Sequence, residues 1–405
     1  MVFDKEKLQK ILEEKKLKTT EDLQDLLRDI TKEVIEAVYD GEITDHLGYK
    51  KYEHKPGDSD NTRNGHSTKK VKSKVGEIEL EIPRDRKGKF EPQIVQKYQK
   101  DISGIEEKVI SMYAKGMSTR DIQSHIYDIY GYEISAETVS NITDTVIERA
   151  NEWRSRALQA VYPIVFMDGL VVKMRSEGHV RNMTVYAVMG IDLEGQKECL
   201  GLYLAEVESA KYWLTVMNEL KNRGVEEVLI FSVDNLSGLS EAIQTVFPKA
   251  EIQKSVIHQI RNSLRYVSWK ERKGVAADLK SVYRAATEQE AVSGLEAFEK
   301  KWGKKYPHIS KSWRNNWAEL SPYFKYPPEV RRLIYTTNPI ESFNRGIRKV
   351  TKNRAIFPTE DALYKLLYLA IRDMQRRWTQ RVQNWGVIYS QLCIYFEERL
   401  AKYIE

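Results

Sequence analysis

Ile164-Val165-Phe166-Met167-Asp168-Gly169 and Val228-Leu229-Ile230-Phe231-Ser232-Val233-Asp234 decide the fold. Each is a short apolar run that ends on an acid, the pattern of a core strand that delivers a carboxylate at its end. Around them lie two more strand-like stretches, Met183 to Ile191 and Cys199 to Leu204, with Gly195 at the hairpin turn between them. A helical stretch from Ser209 to Arg223 follows, with Trp213, Leu214, Val216, Met217 and Leu220 on one side and Gly224 closing it. After the Val228 strand comes a short helix through Leu239, Ala242, Ile243 and Val246, and then a fifth strand expected over Ile252 to Ile257.

Three strands, helix, strand, helix, strand is the path of a ribonuclease H-like α/β core that lacks only its closing helix. Residues 259–335 are helical in pattern and rich in tryptophan (Trp269, Trp302, Trp313, Trp317), an all-α insertion ahead of that helix. Most of these indoles read as core, and one is a candidate to stack on an unpaired base. Asn338-Pro339-Ile340-Glu341 then opens the closing helix, with Ile340, Phe343, Ile347 and Val350 on its buried face. Glu341, Arg345, Arg348 and Lys352 share the other face. Another basic helix is expected over 359–381, and a last one from about Tyr389.

On the N-terminal side, Thr20 is the expected N-cap of an amphipathic helix through Leu23, Leu26, Leu27, Ile30, Val34, Ile35 and Val38, which Gly41 should stop. It must pack on the body or on a second copy. Residues 50–76 read as a flexible arm with cations at its loop tips. Val75 to Pro83 alternates apolar and charged residues, a half-exposed strand ending at the proline, and Arg84 to Lys89 is a basic turn. Residues 104–150 have the outline of a helix-turn-helix. Its first helix stops at Gly116, the second is capped by Ser118 with Asp121 three residues on, Gly131 closes the turn, and Ser135 caps the third. An ordinary three-helix bundle has the same spacing.

The expected organisation is therefore an N-terminal helical, dimerising region at 1–49, a basic arm with a short strand at 50–103 and a helix-turn-helix-like domain at 104–152. The core follows in two parts, 160–258 and 336–381, split by the insertion at 259–335, with a C-terminal helix at 382–405. Charge follows these divisions: residues 1–49 carry 8 Lys/Arg against 13 Asp/Glu, residues 50–100 carry 14 against 8, and residues 336–381 carry 10 against 4. A net charge of only +6 hides two basic blocks, which points to a polyanionic partner. With 41% hydrophobic and 31% charged residues, collagen and wholesale disorder are excluded. Two cysteines, Cys199 and Cys393, make neither a disulfide scaffold nor a four-ligand zinc site. No run of 18 apolar residues exists, so no membrane partner is expected, and the charged N-terminus does not read as a signal peptide. A reducing, cytoplasmic, nucleoid-associated setting fits.

The first and fourth strands are neighbours in this topology, so Asp168 and Asp234 should lie side by side, with Glu341 arriving from the closing helix. Three carboxylates so placed form a hard-oxygen cage for a pair of Mg²⁺ or Mn²⁺ ions and the phosphodiester chemistry they support. Each acid has a plainer reading too, as a helix cap.

Here the chain resembles bacterial Mutator-type insertion-sequence transposases. The resemblance rests on Met167-Asp168-Gly169, Val233 to Ile243, Thr336 to Arg345, Arg63-Asn64-Gly65, Pro83 to Arg86, Tyr113 to Arg120 and Val256 to Asn262, in order over about residues 50–380. It implies a DDE transposase in which Asp168, Asp234 and Glu341 bind divalent metal and direct cutting and rejoining at transposon ends. Two ends must be joined, so a homodimer acting on double-stranded DNA at ends and target is expected, and the resemblance further implies copy-out/paste-in movement through a circle. The family usually carries Cys-x-x-His after the fifth strand, and this chain has Ser255-Val256-Ile257-His258. Ser255, His258 and Asn338 are the expected supporting residues. Expected DNA contacts are Arg63, Lys69, Lys70, Lys72, Arg84 and Arg86 of the arm and Arg120, Thr138, Ser140 and Asn141 of the three-helix region. Arg261 is a further expected DNA contact, and Arg345, Arg348 and Lys352 would line the DNA path beside Glu341. Two rivals remain: a structure-selective nuclease of the same fold, and a DNA-binding regulator with a vestigial triad.

Overall fold

The computed structural model describes residues 19–53, 61–101, 104–130, 133–336 and 338–403, apart from the side chains of Tyr130, Thr336 and Asn338. They form two compact units, one ending at residue 143 and the other comprising 114–116 and 144 onward.

The second unit is built on a mixed five-stranded sheet, an α/β arrangement in the order β5-β4-β3-β6-β7. Strands β3 (Val161–Ser176), β4 (His179–Ile191) and β5 (Lys197–Ala205) form an antiparallel meander. Strands β6 (Glu227–Val233) and β7 (Glu251–Lys254) add in parallel on the other side of β3. The β3–β4 turn is Glu177-Gly178, both at positive φ (49° and 78°), the backbone a two-residue hairpin requires. Gly195, φ 81°, makes the β4–β5 turn as expected.

Helices Ala210–Asn222 and Leu239–Val246 cross one face. They bury Trp213, Val216, Met217, Leu220, Leu239, Ala242, Ile243 and Val246 against Val165, Met167, Phe231 and Val233. Because strand side chains alternate, Phe166, Asp168 and Ser232 take the opposite face. There the helix Asn338–Thr351 packs on β3 and β4, with Ile340, Phe343 and Ile347 buried. Residues 259–335 are helical as expected, including a pair of helices, Trp269–Tyr283 and Glu288–Trp302. Of the four tryptophans there, Trp313 is buried and Trp269 is exposed.

In the first unit a helix, Thr20–Leu47, lies on a hairpin of β1 (Arg63–Ser73) and β2 (Gly76–Asp85), closing a core of Ile35, Tyr39, Val71, Ile78, Leu80, Ile82 and Val95. Helices Ile105–Ala114, Thr119–Tyr130 and Ala136–Asp144 follow. Ser118 and Ser135 make the expected caps, accepting from the amides of Asp121 and Thr138. Gly131 lies outside the described residues, as do residues 1–18 of the expected N-terminal region.

Several expected boundaries are corrected. The N-cap is Thr19, in a capping box with Asp22, and the helix runs through Gly41 to a left-handed cap at Gly48. Gly41 does not stop it because the buried stripe continues through Ile43 and Leu47, and that burial outweighs the ~1 kcal/mol a helical glycine costs. The arm is no loop: its residues from Arg63 on are β1. Strand β2 passes through Pro83 to Asp85, since a two-stranded ribbon leaves each strand an open edge where proline is tolerated. The third helix ends at Asp144, and a separate one, Val146–Ser155, follows. Strand β7 stops at Lys254, short of the expected Ile257, because Ser255 caps a helix, Val256–Arg265. The basic helix is Glu360–Gln375, and the last long one starts at Trp385, whose indole donates to Leu193 O.

Candidate active site

Asp168 does not end its strand. Strand β3 pairs with β6 as far as Phe166↔Ser232, and continues to Ser176 with β4 and a short parallel bridge from Met174 to Phe357. Two residues past that last pair stand Asp168 on β3 and Asp234 just beyond β6, so the acids occupy corresponding positions on one face. Burial marks the parting: both faces of β3 are covered up to Asp168, and buried and more exposed residues alternate beyond it.

His258, on the first turn of the helix after β7, comes down on this pair. Its Nε2 lies 3.9 Å from Asp168 Oδ1 and its Nδ1 3.4 Å from Asp234 Oδ1. Among the described residues, Asp168, Asp234 and His258 form the metal-capable group, with one ligand atom of each all within 4.8 Å of one another. Ser255 Oγ is taken by the helix cap, accepting the His258 amide at 3.3 Å.

From the facing helix, the buried Asn344 amide donates to Asp168 Oδ2 at 2.6 Å, and Gly169 N donates to Oδ1 at 2.9 Å. Asn235 N donates to Asp234 Oδ1 at 2.7 Å. Glu341, one turn before Asn344, is outside the three-residue group, and its Oε1 accepts from Arg261 Nη2 at 2.6 Å. Arg261 is one turn beyond His258 on the same helix. Asn338 opens the Glu341 helix, but its side chain lies outside the described residues.

Burial pushes the Asp168 carboxyl above the ordinary range; His258 and Asn344 oppose that shift and Asp234 adds to it. Burial also works against charge on Asp234, but the His258 ring, the Asn235 amide and Arg261 outweigh it and hold the carboxyl low. His258 is raised: burial disfavours its proton, and the two aspartates more than compensate. Its buried Nδ1 has no aligned hydrogen-bond partner. Two desolvated carboxylates with an imidazole 3.4–3.9 Å away are a donor set that fits a divalent cation.

The other expected contact residues divide in two. Arg63 donates to Thr44 Oγ1 and Tyr49 O, Lys69 to the carbonyls of Gln96 and Lys97, and Lys72 to Glu133 O. Lys70 lies 3.6 Å from Glu77. Strand pairing sets Lys70 and Lys72 opposite Glu79 and Glu77, so these cations are used within the first unit instead of standing at loop tips. Arg84, Arg86, Arg120, Thr138 and Asn141 are exposed and Ser140 half-buried. In the second unit Arg345, Arg348 and Lys352 are exposed along the Glu341 helix.

Asn344 was not legible as a site residue, although an amide between Phe343 and Ile347 on a buried helix face is a signal, because such a group needs a partner. Arg261 reads from the sequence as a DNA contact, and the structure pairs it with Glu341.

The chain matches the family model described as transposase, Mutator family, over residues 2–381. It is 43% identical over 375 residues to the transposase for insertion sequence element ISRM3 of Rhizobium meliloti (strain 1021), covering 92% of this chain and 93% of that one. It is 38% identical to a probable insertion-sequence transposase of Corynebacterium diphtheriae, covering 80% of this chain and 100% of the other. Identity to the transposase for IS905 of Lactococcus lactis subsp. lactis (strain IL1403) is 32%, over 90% and 93% of the two chains.

Proposed function

Because the chain belongs to the Mutator family of transposases, we propose that it binds the terminal inverted repeats of an insertion sequence and cuts and transfers DNA strands at Asp168, Asp234 and Glu341. The observation that carries this reading is the register of β3 and β6, which sets two carboxylates at matching positions under His258. The sheet order supports a ribonuclease H-like core, and the three helices after β2 support a helix-turn-helix reader of the repeats.

A pair of Mg²⁺ or Mn²⁺ ions bound there would supply a Lewis acid for the attacking and leaving oxygens of a phosphodiester. The protein's own part is positioning. Asn344 and Gly169 fix both oxygens of Asp168, Asn235 fixes Asp234, and His258 bridges the pair. Arg345, Arg348 and Lys352 extend from Glu341 along the path a phosphate backbone would take. Joining two ends calls for a homodimer, and movement by copy-out/paste-in through a circle is the route this reading adopts. No helix among the described residues is long and apolar enough to cross a membrane.

The test is strand transfer with pre-cleaved end DNA, target DNA and Mg²⁺. Joined product is expected, and its absence with cutting intact makes the protein a nuclease. Asp234→Asn and Glu341→Gln should each lower cutting at least about a hundredfold, the scale of losing one charge-stabilising group, with end binding retained. Cutting that survives either change refutes the metal assignment.

A further inference from the structure

The third acid is engaged elsewhere than with the first two. Glu341 Oε1 is paired with Arg261 Nη2, whereas Asp168, Asp234 and His258 already converge. Both halves of this arrangement ride on one helix: His258 and Arg261 are a turn apart, so the element that brings the imidazole to the aspartates also brings a guanidinium to the glutamate. Opposite, Asn344 and Glu341 are likewise a turn apart, and Asn344 anchors its helix to Asp168. Glu341 is therefore paired with a cation from the His258 helix, while its own helix is anchored to Asp168 one turn further on.

We infer that Arg261 is a latch: it withholds Glu341 from the metal site until a DNA phosphate takes the guanidinium and frees the carboxylate to complete the cage. This rests on the transposase reading of the same site. The ion pair is suited to release, since the Arg261 side chain is 60% exposed and that of Glu341 23%. A pair whose arginine stays largely in solvent is weak, while a phosphate offers arginine two parallel charge-assisted bonds. Metal and DNA binding would then be coupled, each tightening the other by the same factor. The protein would avoid carrying a fully loaded metal site with no DNA in place.

The coupling is read by titrating Mn²⁺ into the full-length protein and following free Mn²⁺ by electron paramagnetic resonance, with and without a 30-base-pair duplex of arbitrary sequence. Without DNA, Arg261→Gln should bind Mn²⁺ about two- to fivefold more tightly than wild type, the worth of such a pair, and Arg261→Lys should stay closer to wild type. The duplex should tighten Mn²⁺ binding in wild type and do so far less in Arg261→Gln. Removing any positive charge near a cation site also helps binding, so the deciding measurement is the same substitution in a Glu341→Gln background. There only that direct electrostatic part of the gain should remain. A gain of the same size there, or no gain in Arg261→Gln alone, overturns the latch while leaving the transposase reading standing. If Mn²⁺ binding does not depend on Asp168, tested with Asp168→Asn, the metal site itself fails and the latch with it.

Discussion

Asn344 shows how one side chain sets the chemistry of another. Its amide is buried against Asp168, the more desolvated of the two aspartates, and donates to the oxygen that Gly169 N leaves open. Burial alone would drive Asp168 to take up a proton, and the Asn344 donor opposes that. Partners of this kind orient a ligand, and losing one lowers metal affinity about 10- to 100-fold. Asn344→Ala is expected to weaken Mn²⁺ binding by that factor, with its far-ultraviolet circular dichroism unchanged; full affinity would show that Asp168 needs no orientation. The acids themselves were legible, because apolar runs ending in aspartate advertise themselves. The donor was not, since pairing between a helix and a strand 176 residues away has no local pattern. His258 could be singled out by position, but its bridging of both aspartates depends on where β7 ends.

At the scale of elements, the differences between sequence and structure trace to tertiary burial overriding local signals. Gly41 reads as a stop, yet the helix passes through it because Tyr39, Ile43 and Leu47 keep their places on the buried side. A Cβ at Gly41 would meet nothing within 4 Å, so the glycine has no packing role. Gly41→Ala should stabilise the first unit by ~0.5–1 kcal/mol, seen as a higher denaturation midpoint; destabilisation would mean that the helix is interrupted there. Asp85 closes the other end of the hairpin, its carboxylate accepting from Asn61 Nδ2 (2.6 Å), Phe90 N (3.0 Å) and Lys89 N (3.1 Å). Burial disfavours its charge, but these donors prevail and hold the carboxyl at about 2. A carboxyl depressed on folding adds stability above its unfolded value near 3.8, and that stability fades as pH falls toward 2. Asp85→Asn should cost ~1–3 kcal/mol at neutral pH and flatten stability between pH 4 and 2, measured by urea unfolding across that range; a wild-type slope in the variant would place the titration elsewhere. Strand alternation in β2 was legible and the partner strand was not, because β1 has large apolar side chains at few of its inward positions.

At the scale of the whole chain, charge reads differently once each cation is placed. The two basic blocks look equivalent in composition, but strand pairing sets Lys70 and Lys72 against glutamates, and Lys69 and Lys72 are engaged by backbone carbonyls. Arg345, Arg348 and Lys352 project from the Glu341 helix to solvent. Counterion release distinguishes the blocks, because each phosphate neutralised contributes about one unit to the slope of log affinity against log salt. Changing Arg345, Arg348 and Lys352 together to Gln should lower the slope for end DNA by about three units. The same change at Lys69, Lys70 and Lys72 should lower it by less than about one unit, since cations already held within the fold neutralise few phosphates and so displace few counterions from the DNA. Thermal melts of both triple variants, run alongside, separate lost contacts from lost structure. The reverse ranking would mean that the hairpin opens to grip DNA, and the ion pairs along it would then belong to the unbound state alone.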